Sequence, residues 1–268
     1  MCSRAQPGEQ MLLAIDIGNT NVVMGLFQDQ EITATWRIGT DIHRTADEIV
    51  ALMLTLLQHR DLDPSAVHAA ILSSVVPPLT GPVQEACKRC FGIEPLSVEH
   101  TTKTGVEVRI ENPREAGADR IVNSAAAHAM HGTDGSPLIV IDFGTATTFD
   151  AVSGDGAYLG GAIAPGIGLA SEALFQRAAM LPRIELQFPE TIVGKNTAHA
   201  MQAGIMFGYL SLVEGIVSRM KGELGGHARV VATGGLADVV GRRTGLVDVI
   251  EPDLTLQGLQ LIHEMNLA

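Results

Sequence analysis

Two stretches of the chain carry one pattern, Ile15-Asp16-Ile17-Gly18-Asn19-Thr20 and Ile141-Asp142-Phe143-Gly144-Thr145-Ala146. In each, an apolar run ends in Asp, an apolar residue, Gly, and a residue bearing a hydroxyl or amide. The two aspartates lie 126 positions apart (16 to 142), close to half of the 268 residues. Each stretch then runs into alternating apolar positions, the mark of a hairpin strand. Working outward from the first, residues 12–17, 22–27 and 31–38 read as three antiparallel strands. A helix is expected over 45–60, with Thr45 and Glu48 at capping-box spacing. A short buried strand at 69–75 is expected to stop at Pro77-Pro78, and a helix to follow over 80–91. Around the second stretch, residues 138–142 begin a strand, and two more follow as far as Ala164 across a Ser153-Gly154-Asp155-Gly156 turn. One strand–turn–strand domain, duplicated, is the economical reading. It gives a loose tail at 1–10, an N-terminal domain at 11–115 and a C-terminal domain at 116–268. Two such domains facing each other would leave a cleft, where ligands usually bind.

Composition narrows the function. Apolar residues make up 46% of the chain, enough for a core and too many for a disordered chain. The net charge of −12 repels nucleic acid and anionic membranes, so neither is expected as a partner. Three cysteines exclude a disulfide scaffold and fit a reducing cytoplasm. No continuous apolar run reaches the length of a membrane span. Gly, at 29 residues, is in excess, and such residues belong where backbone approaches backbone or ligand.

The two turns have the chemistry of phosphate sites. Gly18 and Gly144 allow tight turns that aim N–H groups at an anion. Asn19, Thr20, Thr145, Thr147 and Thr148 add side-chain donors. Asp16 can hold Mg²⁺ through hard oxygen ligation. Ordinary hairpin turns use the same residue types, so the pattern in one turn alone leaves that reading open. A third glycine site follows an apolar strand at Thr233-Gly234-Gly235, with a helix expected after it. There is no P-loop, and Gly166-Ile167-Gly168 lacks the third glycine of a dinucleotide fingerprint. Cys87-x-x-Cys90 has no second pair and reads as ordinary helix thiols. A helix is expected over 114–130, begun by Pro113 with Asn112 as cap, which puts Asp119 and Arg120 in its second turn. That neighbouring carboxylate and guanidinium could be a base beside an anion-binding group, or a solvated charged pair.

With these motifs in order, the chain resembles the type III pantothenate kinases. The resemblance rests on residues 16–21, Gly117-Ala118-Asp119-Arg120, residues 142–148, Gly160-Gly161 with Pro165-Gly166, and Thr233-Gly234-Gly235. It implies an α/β fold of two ribonuclease-H-like domains, in the actin, sugar-kinase and Hsp70 ATPase superfamily, working as a cytoplasmic homodimer. It implies that ATP, with Mg²⁺, phosphorylates pantothenate at the first step of coenzyme A synthesis. By the same resemblance Asp16, Ile17, Gly18, Asn19, Thr20, Asn21, Val22 and Val23 line the ATP phosphates, and Thr145 contacts ATP. Gly117, Ala118, Asp119, Arg120 and Thr197 bind pantothenate, Asp119 accepts the proton, and Asp142 holds a monovalent cation, K⁺ or NH₄⁺. Ile110 stands where the family commonly has Tyr. That departure keeps a kinase of the same superfamily with another small hydroxyl acceptor as an alternative, beside a non-catalytic regulatory paralogue.

Overall fold

The structure, a computed structural model, describes residues 10–178 and 180–267; the expected tail falls almost wholly on residues 1–9, outside that range. The chain divides into two units. One takes the chain as far as Gly105, then Asn112–Ala126, then the residues from Thr255 on; the other takes Val106–Glu111 and Ala127–Leu254. The boundary expected at 115/116 thus lies inside a segment of the first unit, and each unit is assembled from separated pieces of chain.

The first unit opens with β1 (Met11–Ile17), β2 (Asn21–Gln28) and β3 (Glu31–Gly39), an antiparallel meander. Leu13, Ile15 and Ile17 of β1 join Val22, Met24 and Leu26 of β2 in one apolar cluster. Leu12 and Ala14, on the other face, are buried as well. Burial on both faces explains why β1 reads as a continuous apolar run rather than an alternation. Next comes α1 (Ala46–Gln58), whose capping box forms as expected: the Glu48 carboxylate accepts from the Thr45 backbone N–H at 2.7 Å. Its Ile49, Met53 and Leu57 stripe packs into the same cluster. β4 (Val67–Ser74) then pairs parallel with β1. Here the sequence reading needs correcting, because Pro77-Pro78 do not merely stop the strand. They open α2 (Pro77–Phe91), where a missing N–H costs nothing in the first turn. β5 (Leu96–Ser97) completes a sheet of order β3-β2-β1-β4-β5.

α3 (Ala118–His131) leads toward the second meander of β6 (Leu138–Phe143), β7 (Ala146–Val152) and β8 (Tyr158–Pro165). After α4 (Ile167–Arg177) and α5 (Thr197–Glu223), β9 (Arg229–Thr233) pairs parallel with β6, and β10 (Val249–Ile250) follows on β9. α6 (Leu254–Met265) ends the chain's regular structure. The second sheet has the order β10-β9-β6-β7-β8. Read from its other edge, it repeats the first strand for strand. The helix expected after Gly234-Gly235 is only a five-residue π turn, Ala237–Gly241.

α5 is the element nearest to a membrane-length apolar segment. Among the described residues it is one helix long and apolar enough, by length and composition, to cross a membrane. Interspersed Gly and Ser keep it from being a continuous apolar run. Its Met206, Tyr209, Val213 and Val217 belong to the buried cluster that covers β6 and β9, so its apolar content serves the second unit's core.

Candidate active site

The first turn is built from the strand register. Ser73 of β4, Asp16 of β1, Val23 of β2 and Arg37 of β3 lie in one row across the sheet. Directly paired residues share a face, so all four side chains stand on the side away from the α1 stripe. The Ser73 hydroxyl donates to the Asp16 carboxylate at 2.6 Å. Between the strands the Gly18 N–H closes on the Asn21 carbonyl at 3.0 Å. A side chain at position 18 would press on that carbonyl, its Cβ only 3.1 Å away. Asn19 and Thr20 are exposed at the tip, whereas Ile17 and Val22 are buried in the core. Of the residues expected to line ATP, Ile17 and Val22 therefore have only backbone to offer.

Asp119 arrives by a different route from the one expected. Pro113–Glu115 forms a 3₁₀ turn capped by Asn112, and the chain breaks to extended backbone at Ala116. The α-helix starts afresh at Ala118, so Asp119 sits in its first turn, not its second. The carboxylate folds back to accept the Arg120 N–H at 2.8 Å. It also lies over Gly117, where a Cβ would stand 2.6 Å from an Asp119 oxygen. The Asp119 carboxylate thus packs closely over Gly117, and a side chain there would make it move. Gly117, Ala118, Asp119 and Arg120 are all half-buried.

Asp16 and Asp119 belong to the same unit and feel each other. Burial pushes the Asp16 carboxyl up to about 6, against the Ser73 hydrogen bond; the Asp119 charge pushes it further and Arg37 pulls it back. Burial also raises Asp119, against the Arg120 N–H and guanidinium. Two carboxylates whose surroundings favour protonation fit one that waits for a cation and one that takes up a proton. Among the described residues, no three His, Cys, Asp or Glu side chains group to hold a metal. The donor set fits Mg²⁺ arriving with a polyphosphate, since that ion is usually held by one or two carboxylates and the phosphates themselves.

The second turn repeats the construction. Asp142 pairs across β6 and β7 with Thr148, and in parallel with Thr233 of β9. Gly234 has φ 91°, and a Cβ there would stand 2.5 Å from an Asp142 oxygen and 2.7 Å from the Phe143 nitrogen. Thr145 is exposed at the tip. The other two threonines are committed elsewhere. Thr147 is buried with its hydroxyl bonded to Tyr209, and Thr148 donates to Asp150 at 3.0 Å. The expectation that both add donors for a ligand is therefore corrected: strand alternation turns Thr147 inward. Thr197 is exposed in the first turn of α5, after the Asn196 cap. Ile110 packs near Gly160, whose φ is 103°. Cys87 is buried in α2, where desolvation pushes its thiol up to about 12, far from any reactive range.

Sequence reasoning missed Ser73, Arg37 and Thr40, all at strand ends beside the first turn. The Thr40 hydroxyl donates to the Gly18 carbonyl at 2.6 Å. A hydroxyl or cation near the end of each strand flanking an Asp–Gly turn was the available signal.

Comparison with known proteins follows the same lines. The model of the type III pantothenate kinase family matches residues 12–219. The chain is 51% identical over 256 residues to the type III pantothenate kinase of Moorella thermoacetica, covering 96% of this chain and all of the relative. It is equally identical to that of Roseiflexus sp., at 96% and 99% coverage. Among solved structures, a Campylobacter jejuni protein called a Baf family transcriptional activator superposes with a TM-score of 0.60 at 18% identity, over 95% of this chain and 98% of that one. The polyphosphate/ATP-glucomannokinase of an Arthrobacter strain does so with 0.51 at 14%, over 96% and 100%. The two repeated sheets thus have the α/β fold expected, the one shared with that sugar kinase. A family match through both Asp–Gly turns and Asp119, with about half of all residues identical from end to end, makes this chain a member of the type III pantothenate kinase family.

Proposed function

We propose that the family's reaction, transfer of the γ-phosphoryl group of ATP to the terminal hydroxyl of pantothenate at the entry to coenzyme A synthesis, is divided here among residues of both turns. The turn from Asp16 to Val23 receives the phosphates, through backbone N–H groups and the exposed Asn19 and Thr20 side chains. Asp16 is the carboxylate for Mg²⁺, which spreads and neutralises phosphate charge when bound. Thr145 contacts ATP. Gly117, Ala118, Arg120 and Thr197 hold pantothenate, and Asp119 orients the attacking hydroxyl and takes its proton. Phosphoryl transfer passes through a loose transition state, so positioning and electrostatics supply most of the acceleration and proton removal comes late. The observation that carries this reading is the pair of carboxylates on one unit, Asp16 hydrogen-bonded by Ser73 at the first turn and Asp119 folded back on the Arg120 N–H at the start of α3. Desolvation makes Asp119 a stronger base than a free aspartate, and Arg120 limits how far.

Asp142 is the proposed ligand of a monovalent cation, K⁺ or NH₄⁺. The close approach of Gly234 leaves its carboxylate beside bare backbone. The enzyme is proposed to act in the cytoplasm as a homodimer; the exposed Leu159 and Ile163 of β8 and Leu169 of α4 support the dimer. The test is direct: incubate the protein with ATP, Mg²⁺ and pantothenate in K⁺ or Na⁺, and assay 4'-phosphopantothenate. Product in K⁺ is expected; folded protein that yields none would overturn the reading.

A further inference from the structure

We infer that Thr40 is the positioning residue of the phosphate turn: its hydroxyl holds the Gly18–Asn19 peptide with the N–H, not the carbonyl, turned toward the phosphates. The inference rests on the reading of this turn as the phosphate site. Thr40 is the first residue after β3, and it holds the turn twice. Its hydroxyl donates to the Gly18 carbonyl at 2.6 Å, and its backbone N–H donates to the Thr20 carbonyl at 2.9 Å. In a trans peptide the carbonyl and the following N–H point opposite ways. Fixing the Gly18 carbonyl toward Thr40 therefore aims the Asn19 N–H to the other side.

A holding group is needed because of Gly18 itself. Glycine lets the peptide rotate at little steric cost. Rotated, the same peptide would present a carbonyl oxygen to an anion. The hydroxyl decides between an attractive and a repulsive dipole at one atom of the site. The second turn shows what the hydroxyl adds. There the residue after β8, Gly166, donates its N–H to the Thr145 carbonyl at 3.0 Å, as Thr40 does to Thr20. A Cβ on Gly166 would collide with the carbonyls of Thr145 and Gly144, so no side chain can reach across. That turn leaves three residues between the paired Phe143 and Thr147, whereas the first leaves four between Ile17 and Val22. In this longer turn the Thr40 side chain supplies a restraint on the Gly18 carbonyl that Gly166 cannot supply in the second.

The test uses Thr40→Val, which keeps the shape and removes the donor, beside Thr40→Ser, which keeps the donor and removes the methyl. Kd for MgATP by titration calorimetry and KM for both substrates are compared with wild type, with circular dichroism as the check on folding. Thr40→Val is expected to weaken MgATP about tenfold, the size of one net hydrogen bond, and to leave the KM for pantothenate within about twofold. Thr40→Ser is expected to recover wild-type MgATP affinity within about twofold. Wild-type MgATP binding in Thr40→Val overturns the inference, as does a Thr40→Ser variant equally impaired, or an equal rise in both KM values. Should Thr40→Val not fold, Thr40→Ala removes the donor with less bulk and is judged by the same outcomes. Asp16→Ala separates the underlying reading: if it too leaves MgATP affinity unchanged, the turn is not the phosphate site at all.

Discussion

The two Asp–Gly turns occupy equivalent places in sheets of equivalent order, yet they are held in different ways. Around Asp16 the supports are side chains: Ser73 on the carboxylate, Thr40 on the Gly18 carbonyl, Arg37 along the row, and Asp119 as a neighbouring charge. Around Asp142 the backbone closes in: Gly234 lies against the carboxylate and Gly166 under the turn, with Thr148 and Thr233 beside it in the register. Side-chain support can be tuned in charge and proton affinity. Backbone support is rigid and tolerates no added atom. The first turn thus carries a carboxylate whose proton affinity its neighbours set, and the second is pressed closely by backbone at Gly234 and Gly166.

The largest test of that contrast is Asp119→Asn. We expect kcat to fall about 10²–10⁴-fold, the usual worth of a general base, while MgATP still binds; steady-state kinetics with a binding titration decides. The same variant removes a like charge from Asp16, so its carboxyl should titrate lower, visible as an acidward shift in the pH dependence of MgATP binding.

Gly166→Ala comes next. The new methyl must displace two carbonyls of the second turn, and we expect about 1–3 kcal/mol of lost stability, the usual cost of overpacking. Thermal unfolding measures it. A variant as stable as wild type would show that the second turn yields more than its backbone packing implies.

Asp16→Asn should stabilise the unliganded protein while weakening MgATP. The Asp16 carboxyl rises from 3.8 unfolded to about 6 folded. Folding therefore favours its protonated form. That contribution is complete below pH 3.8 and is lost as pH rises through 6. At pH 8 the ionised group costs at most about 3 kcal/mol, and less because the residue is half-buried and water screens it. The variant's gain should be largest at pH 8 and vanish toward pH 4; unfolding curves at both values check it. Activity should fall in the wild type as pH drops through about 6.

Arg37→Gln is the smallest change. Arg37 is the last and weakest of the influences on Asp16, after burial, Ser73 and Asp119, and it pulls downward. Its removal should move the acid limb of kcat/KM slightly upward. A downward shift would contradict the row of residues read from the strand register.

The hairpins were plain in the sequence because the Asp–Gly pattern and the apolar runs report local geometry: a strand buried on both faces, then a tight turn that leaves little room for a side chain. The capping box of α1 was equally local. Reading failed where distant packing chose among local options. Pro77-Pro78 could end one element or begin the next, and α2 docking on β4 selected the second. Thr147 and Thr148 are the same residue type in adjacent positions, and the pleat alone sends one to Tyr209 and the other to the opposite face beside Asp150. Asp119 was found, but its place in the helix was not, since nothing local showed that the chain would extend at Ala116 before the helix began.

By itself the sequence determined the repeated Asp–Gly turns, the strands that carry them and the carboxylates that can do the chemistry. These follow from short-range sterics and from residue type. Only the tertiary structure decided that Ser73, Arg37 and Thr40 gather at the first turn and that Asp119 shares its electrostatic surroundings. Those positions are tens of residues apart in the chain. Strand register and burial, which are properties of the folded whole, bring them together and set their charge.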